Sequence, residues 1–137
     1  MRGHRIAFDY GDVRIGVAVC DPDGILSSPL PALKSQDRAL LNSIKELINE
    51  YEPVTFYVGL PINMSGMQGE SAEKAKAFAD LLTENFGIKV TFIDERLSTV
   101  SAQRKLKEAG LSTRDSKEFI DSMSAVAILE QGLLGGS

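Results

Sequence analysis

The hydrophobic period of this chain switches at Asp37. Before it, apolar residues alternate as they do in strands; beyond it they recur every three to four residues, with short β-branched runs between. Residues 5 to 9 and 14 to 20 are two apolar segments joined by Tyr10-Gly11-Asp12-Val13, which reads as a β-hairpin. Asp21-Pro22-Asp23-Gly24 is a turn signal, and Ile25 to Leu33, carrying Pro29 and Pro31, suits a third strand only at a sheet edge. Past the switch, Leu40, Ile44, Leu47, Ile48 and Tyr51 share one helix face, which ends before Pro53. Val54 to Val58 is the next strand, stopped at Gly59-Leu60-Pro61, and a loop runs to Gly69. Ala75, Phe78, Ala79, Leu82 and Phe86 mark a second helix capped by Gly87, and Val90 to Ile93 a fifth strand. A helix capped by Ser98 or Thr99 reaches Gly110, and a capping box of Asp115 and Glu118 opens a last helix toward Leu134.

Three strands in series followed by β-α-β crossovers predict an α/β domain. Its sheet is mixed and five-stranded, antiparallel in the first three strands, with helices on its faces. At 137 residues the chain is read as one domain, 1–137.

Three carboxylates interrupt this pattern. Asp9 ends the apolar run Ile6-Ala7-Phe8, and Asp94-Glu95 closes Val90 to Ile93 in the same way. In an α/β sheet the carboxyl ends of neighbouring parallel strands border a ligand crevice, so acids at two such ends converge. Asp121 is the third, on a helical stripe with Ser124, Ala125, Ile128 and Leu129. Each acid alone also fits an ordinary role: Asp9 as a turn former, Asp94 or Glu95 as a cap, Asp121 as a partner for Lys117. Asp94 and Glu95 are adjacent, so a continuing strand sends them to opposite faces and only one joins the cluster directly.

Gathered carboxylates repel one another and need a cation. With one histidine and one cysteine, Cys20, the chain offers neither a zinc site nor an internal disulfide, which leaves a hard cation, Mg²⁺ or Mn²⁺, on oxygen ligands. Two such ions about 4 Å apart activate water and stabilise the leaving oxygen in phosphodiester hydrolysis. The net charge of -4 argues against a protein that coats nucleic acid through its overall charge. No signal-like segment or span of roughly 20 apolar residues is present, so a soluble cytoplasmic protein is expected, with no membrane partner.

The residues Phe8-Asp9-Tyr10-Gly11 with Arg14-Ile15-Gly16-Val17-Ala18, Val58-Gly59-Leu60-Pro61-Ile62-Asn63-Met64 with Gly66, Asp94-Glu95-Arg96-Leu97-Ser98-Thr99 with Ala102, and Ile120-Asp121-Ser122 with Ala125 recur in order along nearly the whole chain. Together they resemble the YqgF/RuvX family, pre-16S ribosomal RNA nucleases related to Holliday-junction resolvases. Tyr10 and Cys20 depart from its usual residues. The resemblance implies a ribonuclease-H-like fold and catalytic, metal-holding acids at Asp9, Glu95 and Asp121, with Asp94 a substitute for Glu95. Arg14 and Arg96 are then candidate phosphate contacts, and the loop from Asn63 to Gly69 offers backbone N–H groups to a phosphate; solvated surface charges and a surface loop are the plain alternatives.

The expected activity is metal-dependent hydrolysis of structured RNA in 5′-end processing of pre-16S rRNA. Resolution of branched DNA junctions is the alternative, and it would require two symmetric sites and so a homodimer rather than a monomer. A third reading is a non-catalytic nucleic-acid-binding factor in transcription or ribosome assembly. An actin-like ATPase shares the opening hairpin but needs two domains, for which 137 residues leave no room.

Overall fold

A computed structural model describes residues 3–61, 69–95 and 122–134. These residues form a five-stranded sheet of order β3-β2-β1-β4-β5, with β1 Arg5–Asp9, β2 Arg14–Cys20, β3 Ser27–Lys34, β4 Thr55–Leu60 and β5 Val90–Asp94. β1, β2 and β3 are antiparallel in series, and β4 and β5 join β1 in parallel, giving the mixed sheet expected. The crossover helices are α1 Leu40–Tyr51 and α2 Glu70–Phe86, and α3 is Met123–Leu134. The expected helix ending at Gly110 and the Asp115–Glu118 capping box lie outside the described residues.

Strand alternation divides the core in two. Ile6, Phe8, Val17, Val19, Phe56 and Val58 pack against α1 and α2. Ala7, Ala18, Cys20 and Tyr57 turn the other way, against Ala125, Ile128 and Leu129 of α3. The residues toward α3 are smaller on β1 and β2, which lets that helix lie close to the sheet. α3 is buried nearly all round, so its sequence is apolar on every side and its amphipathic signal is weak.

Two element boundaries differ from the expected ones. β4 does not stop at Val58 but runs through Gly59 and Leu60, because the parallel ladder continues: Gly59 pairs with Ile93 and Leu60 with Asp94. β3 begins at Ser27, not Ile25, since Asp21 Oδ1 accepts the amide N–H groups of Ile25 at 2.7 Å and Leu26 at 3.2 Å and holds both in the turn. The described part of the last helix, α3, starts at Met123, with Ser122 a turn residue before it. Two other expectations are met: β3 is at a sheet edge, where its prolines are tolerated, and Gly87 ends α2 in the left-handed conformation at φ 67°. Among the described residues, no helix is long and apolar enough to cross a membrane.

Candidate active site

β1, β4 and β5 run parallel and end at one edge of the sheet, where the first two sequence-predicted acids lie. Phe8 is the last residue of β1 aligned with β4, opposite Val58, so Asp9 stands one register step on, level with Gly59. Gly59 in turn pairs with Ile93. Alternation then assigns the faces. Asp9 follows Ala7 by two residues and Gly59 follows Tyr57 by two, and both Ala7 and Tyr57 pack toward α3.

Phe8 helps hold this geometry. Its ring packs edge-on against Phe56 and Phe78, with centroids 5.3 and 5.4 Å apart, on the face toward α1 and α2. Two aromatic contacts pin the last core residue of β1 there, which commits the half-buried Asp9 to the opposite face.

The adjacent pair Asp94 and Glu95 is separated by the same rule. Leu60, opposite Asp94, packs into the core beneath α1 and α2, whereas Ile93 packs toward α3. Glu95 shares the face of Ile93, and a direct contact agrees with this: a Cβ added to Gly59 would lie 2.9 Å from Glu95 Oε1 and collide with Ile128 Cδ1. Glu95 is only 9% exposed, enclosed between β4 and α3. Gly59 is the space that this carboxylate and Ile128 share.

Asp121 lies outside the described residues, as do Asn63 and Arg96. The residue after Asp121 is described: Ser122 is fully buried and stands at the start of α3, on the face that carries Asp9 and Glu95. Ser124, Ala125, Ile128 and Leu129, the stripe predicted to share a face with Asp121, are all buried. Arg14 opens β2 and is exposed to solvent. Among the described residues no three metal-ligating side chains form a cluster, and the third acid proposed from sequence is not one of those residues.

The donor set that is described suits a hard cation: carboxylate oxygens, one half-buried and one buried, beside a glycine that leaves room above β4. Sequence reasoning missed a lysine beside this end of the sheet. Lys74 of α2 donates to Asp12 Oδ1 at 2.9 Å and lies 3.5 Å from Glu70 Oε1. The hydrogen bond to Asp12 raises the Lys74 pKa above its ordinary value. With Tyr10, Gly11, Pro61 and Ser71, this pair lines a cleft of about 220 Å³ at the ends of β1 and β4. Helical periodicity marks Lys74 only as a solvent-facing residue, because its partner is 62 residues away in the chain.

The family model described as RuvX, Holliday junction resolvase, matches residues 3–134. Relatives include proteins of Streptomyces avermitilis (42% identical, covering 96% of this chain and 86% of that protein), Rhodococcus opacus (44%, 94% and 76%) and Mycobacterium ulcerans (44%, 96% and 79%). All three carry the provisional name pre-16S rRNA nuclease. Among solved structures, Thermus thermophilus RuvC in complex with a Holliday junction substrate superposes with a TM-score of 0.62 at 14% identity, covering 97% of this chain and 94% of that one. RuvC of the same organism in a second structure gives 0.52 at 14% identity, covering 96% of each chain. That likeness establishes the fold as ribonuclease-H-like, in agreement with the strand order and the crossovers. Family match and relatives together place the chain in the RuvX family of nucleases.

Proposed function

We propose that this nuclease is a divalent-metal-dependent endonuclease that trims the 5′ end of pre-16S ribosomal RNA in the cytoplasm. The observation that carries the reading is the pair of acids at the ends of two parallel strands, Asp9 and Glu95, which lie on one face and flank Gly59. Mg²⁺ or Mn²⁺, as two ions, would supply activation of the attacking water and stabilisation of the leaving oxygen. Asp9 would be shared between both ions, Glu95 would hold one, and Asp121 would complete the set from the residue before Ser122. The face assignment favours Glu95 over Asp94 as the ligand. Arg14, Arg96 and the loop beginning at Asn63 would contact substrate phosphates. The choice of RNA follows the names of the relatives.

The description of the family model favours a second reading, cleavage of four-way DNA junctions, which would require two symmetric sites and so a homodimer. One experiment separates the two. Structured RNA spanning the pre-16S 5′ end and a four-way DNA junction are each incubated with Mg²⁺ or Mn²⁺ and with wild type, Asp9→Asn, Glu95→Gln or Asp121→Asn. The proposal expects RNA cleavage by wild type alone, with each variant reduced by at least about a hundredfold. RNA cleavage that survives Asp9→Asn refutes the metal site, and cleavage of the junction but not the RNA establishes the second reading. A protein that binds RNA and cuts neither substrate is the non-catalytic factor.

A further inference from the structure

The ends of β1 and β4 carry a second feature beside the acids, on the side of the sheet that packs under α1 and α2. Tyr10 follows Asp9 and turns toward that side, where its ring centroid lies 5.2 Å from that of Phe78. It forms one wall of the cleft of about 220 Å³ that Gly11, Asp12, Pro61, Ser71 and Lys74 also line. Asp12 is exposed, yet the turn that carries it is held on both sides by one residue. Ser35 Oγ donates to the Gly11 carbonyl at 2.5 Å, and the Ser35 N–H donates to the Val13 carbonyl at 3.0 Å. Gly11 lets that turn close, because a Cβ there would lie 2.6 Å from the Arg14 carbonyl oxygen. Lys74 reaches across from α2 to Asp12 Oδ1 at 2.9 Å. An exposed ion pair by itself contributes little to stability. This one lines a cleft with a carboxylate and an ammonium, the first of them on an anchored turn.

The lining favours a neutral ligand that bears hydroxyls. Its charged groups among the described residues are one carboxylate and one ammonium, which offset each other, and the first turn of α2 adds Glu70 and Glu73, so a free anion gains little there. The volume falls below the roughly 300–1,000 Å³ of pockets that enclose drug-sized molecules, which suits a sugar ring rather than a whole nucleotide. A sugar hydroxyl both donates and accepts. A carboxylate with one oxygen on Lys74 has a second to accept with, and an ammonium has three N–H groups to donate. Three residues of chain reach at most about 11 Å, so Asp12 is close enough to Asp9 to meet a nucleotide adjoining a phosphate held there. We propose that this cleft receives the ribose of an RNA residue next to the cleaved bond, and that Asp12 and Lys74 read its 2′-hydroxyl. Asp12 accepts a hydrogen bond from the hydroxyl, Lys74 donates one to its oxygen, and Tyr10 gives the sugar an apolar wall. The 2′-hydroxyl is the group that separates RNA from DNA, so the pair makes a choice of nucleic acid that the metal-holding acids do not. The inference rests on the reading of this chain as a nuclease of structured RNA, and it names the residues that select that substrate.

The test is competition binding in Mg²⁺ with the full chain carrying Asp9→Asn, so that the RNA stays intact. A labelled RNA spanning the pre-16S 5′ end is displaced by unlabelled copies in which one nucleotide at a time is 2′-deoxy. With Asp12 and Lys74 in place, one or two positions adjoining the bond that wild type cleaves bind roughly tenfold more weakly without the 2′-hydroxyl, the size of a hydrogen bond to a charged group. Adding Asp12→Ala or Lys74→Ala makes the deoxy and ribose copies bind alike. The ratio is the readout, because a change of charge shifts RNA affinity for every copy equally. Glu70→Gln also removes a charge near Lys74 but lies outside the cleft lining, and it keeps the ratio. The side chains of Asp12 and Lys74 are 70% and 42% exposed, so the fold tolerates their truncation, and either variant serves if the melting temperature shows the other unfolded. A ratio that persists in Asp12→Ala and Lys74→Ala, a ratio lost equally in Glu70→Gln, or no sensitive position beside the cleaved bond overturns the proposal. Cleavage of the same RNA by wild type separates this failure from that of the underlying reading. Cleavage with no Asp12-dependent position removes only the ribose site, and an Asp12-dependent position without cleavage keeps the ribose site and removes the nuclease reading. An RNA that does not bind overturns both.

Discussion

At the scale of single residues, the site depends on which way each side chain faces, and Gly59 and Phe8 govern this. A methyl group at Gly59 would meet both the Glu95 carboxylate and Ile128, and both side chains are buried. Gly59→Ala is expected to lower stability by about 1–3 kcal/mol, the usual cost of overpacking, and to reduce cleavage more than that loss explains by displacing Glu95. Denaturant unfolding measured beside cleavage at a temperature where the variant is fully folded checks this; activity at the wild-type level would show that Glu95 is not constrained by Gly59. Phe8→Ala removes a buried ring and two edge-on contacts, and should cost about 3–5 kcal/mol in the same unfolding measurement. Asp9 was legible in the sequence because a carboxylate ending an apolar strand is conspicuous. Glu95 and Asp94 were not separable there, since adjacency says they face apart but not which one faces α3.

At the scale of elements, the hairpin turn between β2 and β3 is held by a carboxylate. The hydrogen bond from the Ile25 N–H, joined by those of Leu26 and Gly24, lowers the pKa of Asp21 below its ordinary value. A carboxyl whose folded pKa is depressed contributes stability that is present in full above the unfolded value of about 3.9 and is lost as pH falls through the lower folded value. Asp21→Ala should therefore be less stable than wild type near neutral pH, with the difference shrinking in acid below about pH 4. Thermal unfolding of both proteins across that range reads the effect, and a difference that is constant with pH would assign it to the turn's conformation rather than to the charge. The turn signal Asp-Pro-Asp-Gly was visible in the sequence. The extra residues that Asp21 captures were not, because Ile25 and Leu26 have the composition of a strand and are exposed here at 83% and 65%. The end of β4 was misplaced for the opposite reason. Gly59 resembles a strand breaker locally, yet the neighbouring β5 supplies the pairing that carries the strand on to Leu60.

At the scale of the whole molecule, the sheet separates two cores. One face, under α1 and α2, supplies most of the large apolar side chains; the other, under α3, adjoins the acids. Truncation on either face should cost about 2–5 kcal/mol, but away from Phe8, which sets the facing of Asp9, and Phe78, which backs Tyr10 in the cleft, only the face under α3 should touch catalysis. Leu82→Ala is expected to lower unfolding free energy and leave cleavage near wild type under folding conditions, whereas Ile128→Ala loses both, since Ile128 shares the space over Gly59 with Glu95. Cleavage and unfolding measured on the same two preparations decide this, and equal activity in both would remove the division. The sequence by itself determined the α/β class, the order of the described elements, the edge position of β3 and the family, because hydrophobic period, local turn chemistry and motif residues are short-range properties carried by neighbouring residues. Tertiary structure alone decided that Glu95 and not Asp94 shares the face of Asp9, that Lys74 meets Asp12, and that the Ser122 hydroxyl bridges Val17 and Leu30. Each of these joins groups far apart in the chain, and no local pattern encodes a contact whose two halves are brought together only by strand pairing and helix docking.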